Sequence, residues 1–206
     1  MPDGVLYGAA VAVSGIGDVV LVRHGATEWS EAHKHTGRTD LPLTEHGRSE
    51  AVKAGQRLGS WEFVNVFSSP LIRARHTAEL AGFDQPVIVD DLMEWDYGEH
   101  EGRRTVDIWE DRPGYSKWEE RPPGGESIDE VGARVDRFLA TVNGDGDRPG
   151  LTGDTVIFAH GHLLSVLIAR WLTLPAQNGV QFPLRTATLT VLGVRRGVPV
   201  LHMFNS

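Results

Sequence analysis

The chain has no cysteine among its 206 residues. That excludes disulfide frameworks, thiol nucleophiles and cysteine-based zinc sites. It has no run of eighteen apolar residues, so no segment reads as a membrane span. It is also short of positive charge: 20 Lys and Arg stand against 28 Asp and Glu, a formal net charge of −8. A general nucleic-acid binder needs a basic face, which this composition does not supply. Any site for an anionic ligand must therefore concentrate cations against an acidic background. The remaining mix, 40% apolar and 23% charged, suits a globular enzyme. The length fits one domain with room for a small cap.

Residues 1–17 read as an N-terminal extension, either a tail or an added edge strand. Val5 to Val13 is apolar like the centre of a signal peptide, but Asp3 is the only early charge and the basic leader is missing. A cytoplasmic protein is expected. Gly15-Ile16-Gly17 is half of a dinucleotide fingerprint and is discarded, because a strand follows it instead of a helix.

From residue 18 to 206 a single domain is expected. Val19 to Val22, Val64 to Phe67, Pro86 to Val89 and Thr155 to Ala159 read as short apolar strands. Helices are expected over Thr44–Leu58, Leu71–Ala81 and His162–Leu172, the second with Ser69 as cap and Pro70 at its first position. Ser127 to Val142 carries a capping box and one apolar face, and reads as scaffold. Asn143 to Gly153 reads as a surface loop. Thr186–Val194 and Val198–Phe204 read as a closing hairpin, an edge on which a homodimer could form. Alternating strands and helices predict a three-layer α/β/α sandwich with a mainly parallel sheet and an antiparallel edge. Residues 90–125, rich in Pro, Gly and Trp, predict a small cap before the Ser127 helix, with Trp95, Trp109 and Trp118 as its core.

Three of the strands run into polar signatures: Arg23-His24-Gly25, Ser68-Ser69-Pro70 with Arg73, and His160-Gly161-His162. Open α/β sheets bind ligands beyond the carboxyl ends of their strands. Arg23, His24, Arg73 and His160 are therefore expected at one rim, as a phosphate pocket with guanidinium forks. Helix N-termini near Pro70 and Gly161 are expected to face the same anion. His24 is the candidate nucleophile through Nε2, its Nδ1–H held by a backbone carbonyl. Glu94, beside Trp95 and Tyr97, is the candidate acid, with desolvation expected to raise its pKa.

These segments resemble the histidine phosphatase superfamily, also called phosphoglycerate mutase-like. Leu21 to Trp29 is similar to its signature, and Thr36 to Thr44 with Gly47 to its second segment. Ser68 to Thr77 is similar to the third, Leu92 to Gly102 to the acid-bearing segment and Ala159 to His162 to the second-histidine box. The resemblance implies phosphoryl transfer to His24 without a metal or other cofactor. Arg23, Arg73 and His160 would neutralise the phosphoryl oxygens, and Glu94 would act as acid and then base. Ser30, Thr36, Gly37, Trp95, Tyr97 and His162 would stand on the substrate side. The family often has Asn where Ser30 stands, and Gln where Glu50 and His76 stand.

The resemblance is closest to short acid phosphatases and sugar bisphosphatases, and implies a small phosphorylated metabolite as partner. Three other readings are a 2,3-bisphosphoglycerate-dependent mutase, a catalytically silent phosphoprotein binder and a metal-dependent hydrolase. His33, His35, His46, His76, His100 and His202 read as structural. Arg38, Arg103 and Arg104 could grip a second phosphate or be solvated.

Overall fold

Strand β1 (Ile16–Arg23) is apolar from Val19 to Val22, where it is covered on both faces. Val19 and Leu21 enter one hydrophobic cluster and Val20 and Val22 enter another, as the period of two along a strand requires. The same alternation occurs in β6 (Gly153–Ala159), where Ile157 and Ala159 oppose Val156 and Phe158. Each fully buried aliphatic side chain contributes roughly 1.5–3 kcal/mol, so these two central strands anchor both layers.

The computed structural model describes residues 16–145 and 148–206. Residues 1–15 of the expected 1–17 extension lie outside the described residues, and its last two, Ile16 and Gly17, belong to β1. The other strands are β2 (Phe63–Ser68), β3 (Val87–Ile88), β4 (Gly144–Asp145), β5 (Arg148–Pro149), β7 (Leu189–Arg195) and β8 (Val198–Met203). The main sheet has the order β3-β2-β6-β1-β7-β8, parallel from β3 to β1 and antiparallel from β1 to β8. β4 and β5 pair apart from it, inside the stretch expected to be a plain loop.

Helix α1 (Glu28–Glu31) is one capped turn. α2 (Glu45–Leu58) and α3 (Ile72–Leu80) pack together, as do α5 (Ile128–Asn143) and α6 (Gly161–Trp171). With α2 and α3 contributing to one cluster and α5 and α6 to the other, the sheet lies between two helical layers. Thr44 accepts from the Gly47 N–H and Ser127 completes a capping box with Glu130, so α2 and α5 start where the sequence predicts. The cap holds the short helix α4 (Thr105–Asp111) and two 3-10 turns, Asp90–Leu92 and Gly98–His100.

Of the three cap tryptophans, only Trp95 is fully buried. Trp118 packs on it edge-to-face at 5.3 Å, and Trp109 is 48% exposed.

Candidate active site

Parallel register brings the three strand ends together. Arg23 pairs with Ala159, and Ser68 with Phe158. One residue further on, the His24 N–H donates to the Ala159 carbonyl at 2.9 Å and the Ser69 N–H to the Phe158 carbonyl at 3.0 Å. His24, Ser69 and His160 thus leave the sheet side by side. The turn after His24 sits hard against the start of α2: a Cβ on Gly25 would lie 2.3 Å from the Gly47 carbonyl oxygen.

His24 is buried, and its Nδ1 lies 2.7 Å from the Gly25 carbonyl. The carbonyl can only accept, so Nδ1 carries the proton and Nε2 the lone pair. Burial, reinforced by the Arg73 and Arg23 charges, pushes its pKa well below the usual histidine range. The His160 ring lies 5.2 Å away, centroid to centroid.

The two arginines differ. Arg73 is fully buried, and Nε donates to His160 Nδ1 at 3.1 Å. Nη1 donates to the Thr39 carbonyl, and Nη2 to those of Thr36 and Gly37. Four of five N–H donors are therefore committed, and Arg73 cannot present the expected fork to a ligand. Arg23 spends one bond on the Leu184 carbonyl, at 2.5 Å, and its Nε is buried without a partner. Its guanidinium packs on Gly161, where a Cβ would come within 3.3 Å of Nε and Cζ. Arg23 is the arginine with a fork to offer. His160 is fully buried and accepts from Arg73 at Nδ1, so Nε2 bears the proton and donates to Ser69 Oγ at 2.7 Å.

Glu94 is buried at the N-terminus of α6. Its Oε1 accepts from the Trp95 and Leu163 N–H groups, both at 2.9 Å, and Oε2 from the His162 N–H at 3.1 Å. The setting is a backbone cradle in place of the expected aromatic pocket. Two amides of the first α6 turn, those of His162 and Leu163, therefore serve Glu94. At the other helix end, α3 begins at Ile72, whose N–H is capped by Asp40 at 2.7 Å, while the Leu71 N–H bonds Ser69. Behind Glu94, buried Arg134 of α5 donates to the carbonyls of Asp91 and Met93 and pairs with Glu126. Glu126 in turn accepts from the Asp96 N–H and, at its carbonyl, from the Trp95 indole.

These groups front a cleft of about 830 Å³ whose lining includes Arg23, His24, Glu94, Ser30, Thr36, Tyr97 and His162. Arg73 and His160 lie buried behind that wall. Burial holds the Tyr97 hydroxyl well above its usual pKa, and this neutral hydroxyl is hydrogen-bonded with His162 Nδ1 at 2.5 Å. Burial likewise keeps His162 well below its usual value. The Ser30 hydroxyl is engaged in the α1 capping box with Thr27. Two expected substrate-side residues are elsewhere. Trp95 is in the core, and Gly37 supports Arg73 from behind. Arg38, Arg103 and Arg104 do not line the cleft; they pair with Asp96 and Glu126, Asp111 and Asp107 respectively.

Several cleft residues were not anticipated. His33 and His35, expected to be structural, line it, as do Lys53, Arg57 and Lys117. Lys117 comes from the cap, 5.9 Å from the Tyr97 ring centre and 5.8 Å from that of Trp118. It has no hydrogen bond or ion pair among the described residues. Burial brings it down to about 8, against an opposing pull from Glu94. No helix among the described residues is long and apolar enough to cross a membrane.

Comparison with known proteins agrees with this geometry. Residues 19–206 match the model of the histidine phosphatase superfamily, branch 1. An acid phosphatase of Mycobacterium tuberculosis is 37% identical over 182 residues, covering 87% of this chain and 88% of that protein. Sedoheptulose 1,7-bisphosphatase of Saccharomyces cerevisiae is 34% identical over 186 residues, covering 77% and 69%. The solved structure of a Mycobacterium tuberculosis open reading frame superposes with a TM-score of 0.85 at 36% identity, covering 91% of this chain and 96% of that one. The chain belongs to the histidine phosphatase superfamily.

Proposed function

We propose that the protein hydrolyses small phosphorylated metabolites through a phosphohistidine on His24. One observation carries this reading: the only proton on the buried imidazole is committed to the Gly25 carbonyl, leaving Nε2 nucleophilic beside the free edge of Arg23. The names of the relatives, an acid phosphatase and a sugar bisphosphatase, support it.

In the first step Nε2 attacks phosphorus and the bond to the leaving oxygen breaks. Glu94 supplies the proton that the leaving oxygen takes up. Its Oε2, with a single amide partner, is the oxygen with room for that proton. In the second step Glu94 takes a proton from water, the water oxygen bonds phosphorus and the N–P bond breaks, releasing inorganic phosphate. Arg23 binds the phosphoryl oxygens directly. Arg73 adds charge, and the neutral His160 orientation, from behind His24.

Brief reaction with a labelled phosphomonoester tests the reading. Wild type is expected to give an acid-labile, base-stable phosphoenzyme and His24→Ala none. Equal labelling of the two proteins would remove His24 as nucleophile.

A further inference from the structure

The cap contains a second cavity, of about 170 Å³, beside the cleft. Six of its ten lining residues are rings: His35, Tyr97, His100, Trp109, Tyr115 and Trp118. Their polar atoms are largely spent on the protein. The Tyr97 hydroxyl is bonded with His162, the Trp109 indole donates to the Tyr115 carbonyl at 2.8 Å and the Tyr115 hydroxyl to the Glu120 carbonyl at 3.2 Å. Burial holds His35 neutral, at about 3, and also lowers His100. Apart from the Lys117 ammonium and the Thr105 and Ser116 hydroxyls, what the chamber offers a ligand is therefore ring surface. An apolar cavity of about 150 Å³ accepts one benzene, so the space matches a single six-membered ring. Trp109 is a second sign: an indole 48% exposed, on a short helix, at the chamber wall.

The chamber lies on the leaving-group side. Five of its ten residues, Tyr97 and Lys117 among them, also line the cleft. Tyr97 bonds His162, whose N–H bonds the Glu94 oxygen assigned to the leaving group. With the phosphoryl group held at Arg23 and His24, the part of the substrate directed toward Tyr97 is the alcohol.

We infer that this chamber receives a planar ring carried by the leaving group. The preferred substrates are then phosphomonoesters of alcohols bearing an aromatic or heteroaromatic ring. The inference rests on the phosphatase reading and deepens it.

Benzyl phosphate and n-propyl phosphate test it, since both are alkyl esters and the ring is the main difference. In wild type kcat/KM for the benzyl ester is expected to be at least about tenfold higher, the scale of burying one ring. Ser116→Phe fills the chamber, and Trp109→Ala removes a wall from a half-exposed position. Both variants are expected to lose the benzyl preference while propyl ester hydrolysis stays within about twofold. A benzyl-to-propyl ratio near one in wild type, or one unchanged in both variants, overturns the inference. Benzyl alcohol binding, followed by tryptophan fluorescence, separates the two readings if neither ester is hydrolysed. Binding to wild type but not to Ser116→Phe supports the chamber even though the phosphatase reading fails, and no binding to wild type overturns it.

Discussion

Arg73 Nε donates to His160 Nδ1 across 3.1 Å, and that bond dictates which nitrogen of His160 carries its proton. Arg73 also ties three carbonyls of the 36–39 segment, so it joins the second histidine to the loop at the mouth of the cleft. Arg73→Lys keeps the charge but loses the fork. A fall in kcat of at least about 100-fold is expected. A lower melting temperature is also expected, because buried carbonyls lose their partners. Steady-state kinetics and thermal unfolding check both, and a variant within a few-fold of wild type would show that the fork is dispensable.

Arg134 is a positioning residue for Glu94. It grips the backbone on the N-terminal side of Glu94, while its partner Glu126 grips the Asp96 N–H and the Trp95 indole on the other side. Glu94 sits in the middle of this clamp. Arg134→Met is expected to lower kcat by about 10²-fold, as misplacement by an ångström can, with KM little changed. Arg134→Lys is expected to recover part of it. A variant in which KM rises and kcat holds would assign Arg134 to substrate binding instead.

The rim of the sheet was legible because apolar runs and the polar residues ending them are local features. Once β1, β2 and β6 are parallel neighbours, Arg23, His24, Ser69 and His160 converge without further information. The helix ends could not be read that way. The Ile72 and Leu163 amides are capped by Asp40 and Glu94, carboxylates that lie 32 and 69 residues away in sequence. A local reading therefore leaves those N-termini free for phosphate. Lys117 was missed for another reason. The Pro- and Gly-rich cap has no periodicity to say which side chains turn inward, so a cleft lysine reads like a surface one. Likewise Trp95 and Trp118 look equivalent in sequence, and only packing separates the core residue from the cleft wall.

Lys117 gives the cleft a cation that titrates at about 8. Phosphomonoesters are dianions above their second pKa of about 6, so substrate charge is constant through that range. KM for an anionic substrate is expected to climb as pH rises through about 8, because the ammonium is lost. In Lys117→Met, KM is expected to be higher at pH 7 and flat across the same range. Measuring KM from pH 6.5 to 9.5 in both proteins checks this; an identical rise in the variant would place the titration elsewhere.

Burial of neutral imidazoles sets the acid limit of the fold. His24, His35, His160 and His162 all have pKa values lowered by burial, His160 also by the adjacent Arg73. In the unfolded chain each returns to about 6.5. Below that value the unfolded chain binds protons that the folded protein refuses, so stability rises with pH and is lost as pH falls from about 6.5 toward the folded values. The melting temperature is expected to drop by several degrees between pH 7 and pH 5. Activity should behave differently while the fold persists, because His24 stays unprotonated and its Nε2 remains available. The profile of kcat at saturating substrate, which the free substrate's own titration at about 6 does not enter, is therefore expected to show no acid limb near 6.5, and activity to disappear with unfolding at lower pH. Calorimetry and kinetics in the same buffers check this. An acid limb near 6.5 in kcat of a fully folded protein would mean that His24 titrates as an ordinary histidine, which its burial beside two guanidinium groups contradicts.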